Sequence, residues 1–236
     1  MTAKILMILT SHAHMGEAGK TAEPTGFWLE ELTAPYYAFT DAGYDVTIGS
    51  IQGGLPPIDP NSLQDGLHDR YEDDAVLHVK MKNSKPVGAF DATEFDAIFL
   101  PGGHGTMWDM PVSKDLADLL TAAYAADKII AAVCHGVAGF INVKDNNGQP
   151  LVRGRSLTAF SNNEESMVGL TDKVPFLLET RLRELGARYT CAPNFQPKAV
   201  RDGNVITGQN PASSALTASL LMETLAERIQ QKTASA

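Results

Sequence analysis

Short apolar runs alternate along the chain with longer stretches in which apolar residues recur every three or four positions. The runs "KILMILTS" (4–11), "YDVTIGSI" (44–51), "FDAIFLPGG" (95–103) and "KIIAAVC" (128–134) are almost continuously apolar, as strands buried on both faces are. The helical period predicts helices near 26–42, near 112–126 and from 135 on. The second of these is led by Pro111 and Ser113 and carries Leu116, Leu119 and Leu120 on one face. Alternating strand and helix signals predict an α/β fold with a mostly parallel sheet flanked by helices.

Downstream, "SLTAFS" (156–161) reads as a further strand, and "VPFLLETRLRELG" (174–186) as a helix with Gly186 as its C-cap. "KAVRDGNVITG" (198–208) has an Asp-Gly turn between β-rich runs, so a small β-hairpin decorates the sheet. A last helix starts at about 211, and the polar tail "QQKTASA" is expected to fray. Residues 52–94, with "QGGLPPIDPNS", fit the β-α rhythm poorly and read as an excursion that could serve as a lid.

Composition narrows the partners more than the fold. The 236 residues suit one α/β domain spanning 1–236, and 44% hydrophobic with 20% charged residues is ordinary for a packed globule. A net charge of −9 without a basic stripe argues against nucleic acid and anionic membrane as partners, leaving small molecules. The N-terminal apolar stretch is too short and too soon polar for a signal peptide, and no run reaches membrane-spanning length. A cytoplasmic location is expected, with Cys134 and Cys191 as free thiols.

Two motifs mislead. "HMGEAGKT" (14–21) resembles a phosphate-binding loop, yet His14 stands where the first glycine is required and Pro24 interrupts the helix that should follow. His12 and His14 could share a face at a strand end, but no third residue stands at metal-ligand spacing, so no metal site is expected. Cys191, in "YTCAPN", has nothing nearby to activate it and reads as a structural thiol.

Cys134 has a different setting. An apolar strand feeds it and Gly136 leads the chain away, with Ala132 and Gly136 providing the small neighbours that a strand-to-helix nucleophile elbow demands. At a helix N-terminus a thiol is expected to ionise more readily. At such an elbow His135 can converge with Cys134, and a carboxylate must then orient the imidazole; Glu164 and Glu165 are the candidates. "LPGGHGT" (100–106) ends another strand, placing the Gly103 and His135 N–H groups where an oxyanion hole could form.

Taken together, "TGFWLEELTAPYYAFTDAGYDV", "IDPNS", "LPGGHGT", "AAVCHG", "LTAFSNNEE", "VPFLLE" and "ITGQNPASS" resemble, in order, the ThiJ/PfpI family of the class I glutamine amidotransferase-like superfamily. The chain is most similar to its heat-shock-type chaperone and glutathione-independent glyoxalase III group. The resemblance implies a flavodoxin-like doubly wound sheet, Cys134 as nucleophile, His135 beside it, Glu165 as the acid of the triad and Gly103 in the oxyanion hole. It also implies that Glu31, four residues before Pro35, packs against the thiol. Burial beside sulfur is expected to keep that carboxyl protonated, so that it can shuttle protons.

The activity so implied is conversion of methylglyoxal or another small 2-oxoaldehyde to a 2-hydroxy acid through a cysteine hemithioacetal, without cofactor or metal. A homodimer is expected. Other readings are a holding chaperone for unfolded clients, a protein deglycase using the same thiol, and, more weakly, a cysteine peptidase or amidase. Glutamine hydrolysis of the amidotransferase type is excluded, since no histidine follows His135.

Overall fold

Seven strands form the central sheet: β1 Lys4–Leu9, β2 Asp45–Ser50, β3 Lys85–Pro86, β4 Ala97–Leu100, β5 Ile129–Val133, β6 Ala199–Asp202 and β7 Val205–Gly208. Their spatial order is β6-β7-β5-β4-β1-β2-β3, and every neighbouring pair is parallel except β6 with β7. The computed structural model describes residues 2–16, 23–63 and 69–234.

The apolar runs become strands because helices cover both faces. Ile5, Met7, Leu9, Phe99 and Val133 pack on one side with Leu32 and Phe39 of helix α1 (Leu29–Asp41) and Leu221 and Leu225 of the last helix. Leu6, Ile8, Ile98, Leu100 and Ile130 pack on the other with Leu116 and Leu120. Successive residues of one strand point to opposite faces, so a doubly covered sheet needs apolar residues at every position.

Helix α2 spans Ala75–Lys82. Helix α3, Lys114–Ala125, begins where Ser113 accepts a hydrogen bond from the Leu116 N–H, and it buries Leu116, Leu119 and Leu120 as its period predicts. Two shorter helices follow, α4 Asn162–Met167 and α5 Leu178–Glu184. Gly186, at φ +90°, closes α5 in the left-handed conformation expected of a residue just past a helix end. Helix α6 covers Ser214–Ala234 and so continues through most of the tail that its polarity predicts to fray. Among the described residues no helix is long and apolar enough to cross a membrane.

Three expectations need correction. The segment after β5 is a seven-residue 3₁₀ helix, Cys134–Phe140, with every residue buried, rather than an amphipathic α-helix. Gly136 and Gly139 lower its α-helical preference. A Cβ on Gly136 would also strike Leu100 O and lie 2.9 Å from Pro101 O, so the turn is wedged against the end of β4. The hairpin turns on Gly203–Asn204 rather than Asp-Gly, since Asp202 still pairs with Val205; β7 belongs to the body of the sheet, parallel to β5. "SLTAFS" gives only a two-residue strand, Ser156–Leu157, paired outside the main sheet with Arg188–Tyr189. Residues 52–94 contribute α2, with Leu77 and Met81 in the core, and the edge strand β3.

Gly136→Ala is expected to lose roughly 1–3 kcal/mol of stability, because strand-end carbonyls cannot move aside as a flexible side chain would. A lowered urea midpoint checks this.

Candidate active site

The loop after β4, the turn after β5, the start of α1 and the segments around Phe160, Phe195 and Pro211 surround a cavity of about 260 Å³. It opens beyond the carboxyl ends of the parallel strands, where the topology of such sheets leaves a crevice. Cys134, His135, Glu31 and Gly103 all line it. None of the described residues between 52 and 94 does so, and residues 64–68 of that segment lie outside the described structure.

Cys134 leaves β5 at φ +57°, directly after Val133 in extended conformation. A non-glycine residue in the left-handed region is uncommon, and here it swings the side chain off the strand axis into the cavity. The same reversal brings adjacent side chains together: Sγ lies 3.4 Å from His135 Nδ1. His135 Nε2 lies 2.7 Å from Glu165 Oε2. Burial opposes ionisation of Glu165, but the pull of His135 and His104 outweighs it and holds the carboxyl well below its usual range. An ionised carboxylate only accepts, so His135 donates Nε2–H to Glu165 and turns a bare Nδ1 toward the thiol. Burial, aided by His104, also pushes the imidazole pKa down, so His135 rests neutral and able to take a proton.

Glu31 lies fully buried on α1, and its Oε2 accepts the Gly102 N–H at 2.7 Å. Oε1 accepts no hydrogen bond from the described residues, and the carboxyl lies beside the Cys134 thiol. Burial raises the Glu31 pKa to about 8, against the opposing effects of Cys134 and the Gly102 N–H. Burial also pushes the Cys134 thiol well above its ordinary range, and the carboxyl beside it adds to the effect. The thiol therefore rests protonated, contrary to the ionisation expected of a helix N-terminus. The turn is a short 3₁₀ segment, and desolvation outweighs the help of the His135 N–H.

Glycine is required in the loop after β4. A Cβ on Gly102 would meet Glu31 Oε2 at 2.5 Å, and one on Gly103, at φ +105°, would run into the backbone of residues 26–28. The Gly103 N–H donates to no acceptor among the described residues, which leaves it available to a ligand.

Glu164 and Glu165 separate by function. Oε2 of Glu164 accepts from Ser161 N–H and Oγ–H, and Oε1 from Phe195 N–H, Gln209 Nε2–H and Asn210 Nδ2–H. The Ser161-x-x-Glu164 spacing is a capping-box signature, a sequence signal that assigns Glu164 to the start of α4 and leaves Glu165 for the imidazole.

His104 is the site residue that the sequence reading overlooked, having used its glycine loop only for backbone N–H groups. Its Nε2 lies 2.8 Å from Glu165 Oε1, so one carboxylate accepts from two imidazoles. The two rings lie 4.1 Å apart, and His135 packs on Phe160 at 4.5 Å. His104, His135 and Glu165 are also a set of metal-ligand types within 4.8 Å of one another. Ligands of a tetrahedral zinc stand about 3.3 Å apart, however, given metal–ligand distances of about 2.0–2.2 Å. Separations of 2.7 and 2.8 Å are instead those of hydrogen bonds.

The remaining candidates stand apart. Cys191 is exposed rather than structural, and both cysteines are free thiols. His12 stacks on Trp108 and His14 is exposed. Residues 17–21 of the false phosphate-binding motif lie outside the described residues.

The DJ-1/PfpI family matches residues 23–224. Glyoxalase 3 of Candida albicans is 31% identical over 231 residues, covering 91% of this chain and 95% of that protein. The glutathione-independent glyoxalase HSP31 of Saccharomyces cerevisiae is also 31% identical, covering 91% and 94% respectively. The Rapid Encystment Protein 24 kDa of Francisella tularensis superposes with a TM-score of 0.90 at 46% identity, covering 95% of this chain and 99% of that one. The crystal structure of Candida albicans glyoxalase III gives a TM-score of 0.85 at 28% identity, covering 94% and 97%.

Two measurements test the electrostatics. Glu31 holds its proton up to about pH 8 when folded but only to its ordinary value of 4.5 when unfolded. Its contribution to stability is thus fully present below the unfolded value and lost as pH rises to the folded one, by roughly 5 kcal/mol in all. The fall in melting temperature between pH 5 and pH 8 is expected to be smaller for Glu31→Gln than for the wild type. His104→Phe removes one donor from Glu165, and the His135 imidazole is expected to titrate at higher pH by NMR.

Proposed function

Because the chain belongs to the DJ-1/PfpI family, in its glyoxalase-III-type branch, we propose that it is a glutathione-independent glyoxalase for small 2-oxoaldehydes such as methylglyoxal. The observation that carries this reading is the contact of the left-handed Cys134 with a neutral, Glu165-anchored His135 on one side and the protonated carboxyl of Glu31 on the other.

In this reading His135 Nδ1 takes the thiol proton as sulfur attacks the aldehyde carbon, so the thiolate exists only while it is bonding to substrate. The alkoxide forms beside the Gly103 and His135 N–H groups and recovers the proton from the imidazolium, giving a hemithioacetal. His135, neutral again, removes the proton from that carbon. Glu31 protonates the neighbouring carbonyl oxygen, which produces an enediol. Return of the proton to the second carbon leaves a thioester, and Glu31 recovers its own.

Water, deprotonated by His135, then cleaves the thioester to release the 2-hydroxy acid and the thiol. One carbon is oxidised and its neighbour reduced, so the sum is aldehyde plus water to hydroxy acid, with no external oxidant or reductant. A groove for peptides or glycated side chains needs an accessible nucleophile. Cys134 is only 3% exposed, which favours a small free aldehyde over the deglycase and peptidase readings.

Purified protein incubated with methylglyoxal, without glutathione, is expected to form lactate. Cys134→Ser and Glu31→Gln should each reduce turnover by at least about a hundredfold, within the range for loss of a nucleophile or an acid–base group. Absence of lactate from protein with a reduced, alkylatable Cys134 would falsify the reading.

A further inference from the structure

Phe195 stands in the left-handed region at φ +58°, one of three non-glycine residues to do so among the described ones; it is the third residue of the hydrogen-bonded turn Pro193–Gln196 and lines the cavity. Bulky side chains adopt that conformation only where the surroundings enforce it. Here its N–H is held 2.8 Å from Glu164 Oε1, the oxygen that also binds Gln209 and Asn210. The buried Glu164 therefore ties together the start of α4, the loop bearing Phe195 and the segment leading to Pro211, three parts of the cavity wall.

The Phe195 ring is directed to the mouth. The residue is 41% exposed while Cys134 at the floor is 3% exposed, and the ring lies 6.4 Å from that of Phe160, which packs on His135. Val168, also at the mouth and 42% exposed, completes an apolar rim. A substrate whose carbonyl carbon meets the sulfur shares the cavity with Phe195 and Val168.

We infer that Phe195, fixed by Glu164, is the specificity-determining residue that limits the carbon substituent of the substrate to a short aliphatic group. In its glyoxalase form the inference rests on the function proposed above. The wall itself does not depend on that function, because Phe195 lines the cavity that holds Cys134 whatever the electrophile.

Two ratios test the inference in wild type, Phe195→Ala and Phe195→Gly. The glycine variant also removes the backbone strain, so it is expected to fold. The first ratio is kcat/KM for phenylglyoxal over methylglyoxal; the second is the rate of Cys134 alkylation by N-benzyl iodoacetamide over iodoacetamide. Both are expected to rise about tenfold or more in the variants, the scale on which pocket walls discriminate apolar groups. Phe195→Trp should lower both. Unchanged ratios in folded variants overturn the inference while leaving the glyoxalase reading intact. If wild type consumes neither aldehyde, that reading fails alone, and the alkylation ratio decides whether Phe195 is the wall.

Discussion

The site depends on one backbone constraint: β5 must end in a side-chain-bearing residue at positive φ. An L-residue in that conformation is disfavoured by roughly 1–2 kcal/mol, and it persists only when neighbouring packing allows no alternative. The neighbours here are specific. Gly136 lets the departing chain press against Leu100 and Pro101, and Gly102 passes between Val133 O and the Glu31 carboxyl. Parallel pairing of β5 with both β4 and β7 fixes the strand up to Val133, so the reversal is confined to Cys134. The glycines around the elbow thus follow from the position of one thiol.

Around that thiol, two glutamates are driven in opposite directions by their surroundings. Glu31 is fully buried, and desolvation outweighs the Cys134 thiol and the one backbone N–H it receives, so it keeps its proton to about pH 8. Glu165 is also buried, but each oxygen meets an imidazole N–H, and it loses its proton far below neutrality. Chemically identical groups are thereby separated into a protonated carboxyl and a fixed anion. Cys134 and His135 between them are both neutral at rest, so the buried thiol–imidazole pair carries no net charge.

Glu164 performs a third task one position away. It accepts five hydrogen bonds from three segments of the cavity wall and holds the strained Phe195 at the mouth. Helix geometry separates its side chain from that of Glu165, because consecutive residues on a helix face different directions. The floor of the cavity therefore carries titratable groups while its rim, with Phe195 and Val168, is apolar.

Much of this was legible in the chain. The near-continuous apolar runs specify β1, β2, β4 and β5 because burial on both faces leaves no room for polar alternation, and the Ser113 cap with the leucine period specifies α3. The motif order carried the family, with Glu31, Gly103, Cys134, His135 and Glu165 as its site residues; all five lie at the cavity or on its His135 anchor. Other features depend on what is folded against what. The protonated state of the Cys134 thiol is not legible in the chain, because desolvation and the nearness of Glu31 arise only once the chain is folded. The pairing of His104 with Glu165 spans 61 residues, and the Glu164 hold on Phe195 spans 31. Local pattern reports on backbone conformation and burial, which neighbours in sequence determine; protonation and the shape of a cavity are set by groups that only the tertiary structure brings together.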